Sequence, residues 1–223
     1  DSPDDYEPRL DEETGARGSA FGKAFHHLVG VAGERVPEPS QLGRLLRGAP
    51  ERHDFDSDGL GALQQHLSRL NEIAVWREAR RCEVRFEVQF RAELGGCLLL
   101  GCADALAWTP DGVRLFDFKT NDLTGVTPAE VARDRGYDVQ LGAYAAGLEA
   151  AFGLRVVEAH LLFSAEGGGA VEVDLDEIRP RVEGLLRRAA ERARTPFAEL
   201  VREYERTDCG GCGLVGVCPA RRV

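Results

Sequence analysis

The chain contains no methionine, and its first residue is Asp1. That pairing leads to the expectation of a segment taken from a longer protein. No apolar run approaches the length of a membrane span, and the polar start DSPDDYEPRLDEETG has none of the features of a secretory leader. A cytoplasmic protein without a membrane partner is therefore expected. Positive charge is in deficit, with 28 Lys and Arg against 38 Asp and Glu, a formal net charge of -10. Such a balance excludes a surface that holds nucleic acid by bulk electrostatics. Six cysteines without a secretory leader do not make a disulfide framework. What remains is 223 residues with an ordinary apolar fraction, enough for one sizeable α/β domain with a core of its own.

The most informative stretch runs from Gly101 to Thr120, GCADALAWTPDGVRLFDFKT. Two alternating apolar runs flank Thr109-Pro110-Asp111-Gly112, a turn that closes antiparallel strands, so a β-hairpin is expected. Alternation places Asp104 on one face with Leu100, Cys102, Leu106 and Trp108, and aligns Val113, Leu115, Asp117 and Lys119 on the next strand. Two acids and a lysine converge at one place. Buried carboxylates are costly unless paired or holding a cation, and hard oxygen donors suit Mg²⁺ or Mn²⁺. The hairpin alone leaves open a second reading, in which Lys119 neutralises both acids in a structural ion pair.

Upstream, a helix is expected after Ser19 to about Val31, burying Phe21, Phe25, Leu28 and Val29, with His26 beside that stripe and Gly22 leaving space next to the imidazole. Short and long helices follow over 41–47 and 60–81, then an unbroken alternation from Glu83 to Glu93 that reads as a half-buried strand. A helix over 128–152, with a break at Gly136, places Gln140 and Tyr144 one turn apart with Tyr137 nearby. Strands over 155–164 and 169–175 precede an amphipathic helix from Asp176 to about Tyr204, whose Arg187, Arg188, Arg192 and Arg194 read as a solvated face. Cys82, Cys97 and Cys102 read as small core residues. Cys209, Cys212 and Cys218, interleaved with glycines and followed by Pro219, have the spacing of ligands for an iron–sulfur cluster or zinc.

Four motifs taken in order, Gly22 to His26 (GKAFH), Gly101 to Asp104 (GCAD), Asp117 to Thr120 (DFKT) and Tyr137 to Tyr144 (YDVQLGAY), resemble the RecB-like, AddB-type branch of the PD-(D/E)xK nucleases. The resemblance spans roughly Gly18 to Pro219. It implies a restriction-endonuclease-like α/β fold, with a mixed central sheet flanked by helices. The domain division it suggests is a flexible lead or linker over 1–17, the nuclease domain over 18–207 and a cysteine-rich cluster segment over 208–223.

For function, it implies a Mg²⁺- or Mn²⁺-dependent deoxyribonuclease, an exonuclease on single strands, within a helicase-nuclease protein for double-strand-break repair. DNA and a helicase domain or subunit would be its partners. His26, Asp104, Asp117 and the Phe118 carbonyl would hold the ions, Lys119 would position or activate water, and Gln140 and Tyr144 would line the site. Cys209, Cys212 and Cys218 would hold a [4Fe–4S] cluster with a cysteine that precedes the GxxxH helix in related members. No cysteine precedes Cys82 here, so the cluster is expected to be incomplete within these residues unless Cys82 substitutes. Two alternatives are a non-catalytic DNA- or partner-binding domain of the same fold, and a stand-alone nuclease of the CRISPR-adaptation type.

Overall fold

The structure is a computed structural model that describes residues 16–32, 36–49 and 54–194. Cys209, Cys212 and Cys218, residues 1–15 of the lead expected over 1–17 and the end of the last expected helix lie outside the described residues, while residues 16 and 17 begin the first helix. The elements are α1 (Ala16–Val31), α2 (Pro39–Leu46), α3 (Ser57–Glu72), α4 (Ala74–Ala79), β1 (Val84–Leu94), β2 (Cys97–Thr109), β3 (Gly112–Lys119), α5 (Pro128–Asp134), α6 (Tyr137–Phe152), β4 (Val156–Phe163), β5 (Gly169–Glu172) and α7 (Leu175–Arg194).

The strands form one sheet in sequence order, with β3 and β4 parallel and the other neighbours antiparallel. This mixed five-stranded sheet with flanking helices is the expected restriction-endonuclease-like architecture. The parallel β3–β4 pair requires a crossover, which α5 and α6 provide. Two cores lie on opposite faces of the sheet. One joins β1–β4 to α6 and α7 through Leu106, Leu115, Leu141, Leu148 and Val182. The other packs Phe25, Leu28, Leu63 and Trp76 of α1, α3 and α4 onto Phe116 and Phe118.

Two helices are divided where the sequence read one or left a break. The 60–81 helix is interrupted at Ile73, whose ψ of 119° is extended, and so becomes α3 and α4. Gly136, at φ +64°, turns the chain between α5 and α6 as its position suggested, a conformation glycine adopts without steric cost.

Simple alternation fails at the centre of the sheet. In β1, Val84 and Phe86 pack into the α1–α4 core, whereas Val88 and Phe90 pack into the α6 core. Their partners in β2 change sides together: Ala105 and Ala107 face α1–α4, while Ala103 faces α6. The switch falls at Glu87, the non-glycine residue of left-handed φ (+51°) among the described residues, which lies between the pairs Phe86↔Ala105 and Val88↔Ala103. Leu100 is therefore not on the buried face with Leu106 but 65% exposed. The cysteines expected in the core are not fully buried either: Cys82 is exposed, and Cys97 and Cys102 are half-buried.

Candidate active site

The site forms where the β2–β3 ladder ends. Pairing runs from Thr109↔Gly112 inward to Ala105↔Phe116 and stops there. Beyond it, the Phe118 amide donates to Asp104 Oδ2 at 2.7 Å in place of a ladder carbonyl. The side chain of Asp104 thus takes over a backbone hydrogen-bonding role and is fixed in the gap between the strands. This bond is one reason why a nearly buried carboxylate is tolerated there.

His26 reaches the same point from α1. Its Nε2 donates to the Phe118 carbonyl at 3.0 Å, and its Nδ1 lies 3.3 Å from Asp104 Oδ1. Burial disfavours the imidazolium, but the Asp104 hydrogen bond, the charges of Asp104 and Asp117 and the Phe118 carbonyl outweigh it and raise the pKa. Gly22 does not open space at the imidazole; a Cβ there would be in ordinary contact with Thr120 Oγ1 at 3.8 Å.

On β3, Asp117 Oδ2 lies 2.6 Å from Lys119 Nζ, with both side chains nearly buried. Burial first, and then the Asp104 charge, push the Asp117 carboxyl above the ordinary range, against the pull of Lys119. Burial likewise opposes charge on Lys119, but Asp117 overcomes it and keeps the ammonium charged. Lys119 also donates to Gln140 Oε1 at 3.3 Å, Gln140 Nε2 donates to the Tyr144 hydroxyl at 3.1 Å, and the ammonium sits 4.0 Å from the centre of the Tyr137 ring. The one-turn spacing on α6 thus brings Gln140 and Tyr144 to the lysine.

Gly101 has a specific reason to lack a side chain. A Cβ there would fall 2.3 Å from the Phe90 ring and 3.1 Å from that of Tyr144, so glycine lets the two rings pack edge to face at 5.4 Å.

Three neighbours of this group are absent from the sequence reading. Glu87 offers a carboxylate oxygen that lies with ligand atoms of His26 and Asp104 within a mutual distance of 4.8 Å. Strand periodicity could not reveal it, because its position depends on the left-handed φ at that residue. Asn121 donates to the Tyr137 hydroxyl at 3.3 Å; its place directly after the DFKT stretch was the available signal. His66, far away in sequence, bonds to Ser164 behind Lys119.

Carboxylates, a carbonyl oxygen and an imidazole make a donor set that fits a divalent cation. The ligand-distance cluster contains Glu87 rather than Asp117, which is turned to Lys119.

Among curated proteins none matches the sequence. The structure is similar to that of a candidate exonuclease from Eubacterium rectale, with a TM-score of 0.57 at 14% identity over 93% of this chain and 76% of that one. At such identity the likeness is one of fold. An alignment with the crystal structure of SSO0001 covers 93% of this chain and 98% of that one at 14% identity, but its TM-score of 0.34 carries no argument. The sequence also matches the PD-(D/E)XK nuclease superfamily over residues 5–219. With that match across nearly its whole length, and with the mixed sheet that goes with it, the chain belongs to the PD-(D/E)XK nuclease superfamily.

Proposed function

We propose that the chain is a divalent-metal-dependent deoxyribonuclease domain, an exonuclease on single strands, of the RecB-like, AddB-type branch, working beside a helicase in double-strand-break repair. The observation that carries the reading is the meeting of His26, Asp104 and the Phe118 carbonyl with the Asp117–Lys119 pair at the end of the β2–β3 ladder.

Hydrolysis forms one P–O bond from water and breaks one P–O ester bond. A divalent cation, when bound, neutralises phosphoryl oxygens and acidifies the attacking water. His26, Asp104, Asp117 and the Phe118 carbonyl would hold it, and Glu87 is placed to join them. Lys119, held charged by Asp117, acts as a donor towards the charge that develops on oxygen during cleavage, rather than as a base. Gln140 fixes the lysine by accepting from it, and Tyr144 in turn fixes Gln140. The acidity of the whole chain suits a strand delivered by a motor rather than captured by a broad basic face.

End-labelled linear DNA, single- and double-stranded, incubated with Mg²⁺, Mn²⁺ or EDTA tests this. Stepwise release of nucleotides from single strands, lost with EDTA and reduced to a small residual rate in Lys119→Ala, is expected. Retained folding without cleavage of any linear DNA by the full-length parent refutes it. For Cys209, Cys212 and Cys218 we propose a [4Fe–4S] cluster with a fourth ligand. Iron and acid-labile sulfide analysis of anaerobically purified protein measures it, and zinc in place of iron rejects it.

A further inference from the structure

The main chain of Lys119 is held by two residues to which nothing above gives a role. Its carbonyl accepts two bonds from Ser164, one from the amide at 2.9 Å and one from Oγ at 3.1 Å. The amide bond is what a parallel ladder needs at its last rung, beyond the Lys119↔Phe163 pair. The hydroxyl bond is additional. Ser164 is fully buried, and its oxygen lies 2.8 Å from Nδ1 of His66 on α3.

A serine hydroxyl has one proton. Since Oγ gives it to the Lys119 carbonyl, it can only accept from the imidazole, so Nδ1 of His66 carries a hydrogen. Burial, with the charge of Arg69 adding to it, lowers the His66 pKa to about 4, which keeps the ring neutral. The same ring stands edge-on to Phe21 at 5.1 Å and to Phe25 at 5.8 Å, on the helix that presents His26. A buried polar chain whose members are all satisfied rigidifies the segment it joins. Here the geometry fixed is that of the peptide from which Lys119 extends.

We propose that His66, acting through Ser164, is a positioning residue for Lys119: its Nδ1–H orients the Ser164 hydroxyl onto the Lys119 carbonyl. The backbone of the lysine is thereby held where Nζ meets Asp117 and Gln140. The assignment rests on the proposal that Lys119 serves in phosphodiester cleavage.

Steady-state cleavage of single-stranded DNA with Mn²⁺ is measured for wild type, His66→Leu, Ser164→Ala and His66→Asn, whose Nδ2 can stand where Nδ1 did. His66→Leu and Ser164→Ala are expected to lower kcat by about 10- to 100-fold at unchanged KM, the cost of a small misplacement, with His66→Asn restoring most of it. In a Lys119→Ala background His66→Leu is expected to have no further effect on residual cleavage. Wild-type cleavage with His66→Leu equally fast, or with His66→Asn as slow as His66→Leu, refutes this assignment alone. An added loss in the Lys119→Ala background does the same. Wild-type protein that cleaves no DNA refutes the nuclease reading, and this assignment with it. Should His66→Leu fail to fold, the ¹⁵N NMR spectrum of the wild-type imidazole still decides: an Nδ1–H tautomer is expected, and an Nε2–H tautomer overturns the relay.

Discussion

Replacing Lys119 with alanine tests how the buried charges balance. Lys119 Nζ lies 2.6 Å from Asp117, with side chains 13% and 5% exposed, so solvent screens the pair little. Even with the lysine present, burial and the Asp104 charge push Asp117 from 3.8 up to about 6. An acid whose pKa is raised on folding costs stability where it is ionised. The cost is fully present above the folded value and fades as pH falls towards the unfolded one. Removing the lysine raises the folded value further, until at about pH 7.5 the carboxyl takes up a proton instead, and this uptake caps the added penalty. The interval between about 6 and about 7.5, at about 1.4 kcal/mol per pH unit, sets the cap at about 2 kcal/mol. At about pH 5, Asp117 is protonated in both proteins and the added penalty vanishes. The lost contact of the ammonium with the Tyr137 ring contributes equally at both values, because the lysine is charged at both. Urea unfolding followed by far-UV circular dichroism in EDTA reads the difference. The deficit of Lys119→Ala is expected to be larger at about pH 7.5 than at about pH 5 by up to about 2 kcal/mol. A deficit equal at both values, or larger in acid, refutes the charge balance described here.

Asp104→Ala is expected to leave the buried Phe118 amide without an acceptor, costing about 1–3 kcal/mol in thermal unfolding. The same variant is expected to abolish Mn²⁺ binding by calorimetry, and wild-type affinity in it contradicts the site. Gly101→Ala introduces a Cβ 2.3 Å from the Phe90 ring, and about 1–3 kcal/mol of stability is expected to be lost in denaturant titration. An unchanged midpoint means that α6 does not press Phe90 and Tyr144 onto β2. Glu87→Gln is expected to weaken Mn²⁺ binding by about tenfold or more in electron paramagnetic resonance titrations, with the melting temperature in EDTA not lowered. Equal affinity removes Glu87 from the site.

The strongest periodicities in the sequence carried the fold. The alternation of Val84 to Ala92, the turn at Thr109 to Gly112 and the break at Gly136 all correspond to observed elements, since each depends on neighbours in sequence. Extended backbone at Ile73 was not legible, because Ile73 and Ala74 fit a continuing apolar stripe and only packing divides α3 from α4. Nor could the face switch at Glu87 be read, because nothing about a glutamate between Phe86 and Val88 announces a positive φ. For the site, Asp104, Asp117 and Lys119 were accessible from strand parity. His26, Gln140 and Tyr144 lie on helices, and only the order of motifs linked them to the hairpin. His66 and Ser164 stand 98 positions apart and carry no local pattern, so their contact exists only in the folded chain.

The failure of alternation and the position of the site have one cause. Regular pairing would give the Phe118 amide a backbone acceptor and give Asp104 a place on one face. Instead the ladder ends at Ala105, Glu87 adopts a left-handed conformation at a cost of about 1–2 kcal/mol, and carboxylates enter the gap. Filling the gap with acids demands compensation within the chain. Lys119 supplies it for Asp117, and the His26 imidazole, whose pKa the same carboxylates raise, stands beside Asp104. On the proposed assignment of His26 as a ligand, a proton on the ligating nitrogen must leave before the cation binds, so binding and proton release are coupled through one imidazole.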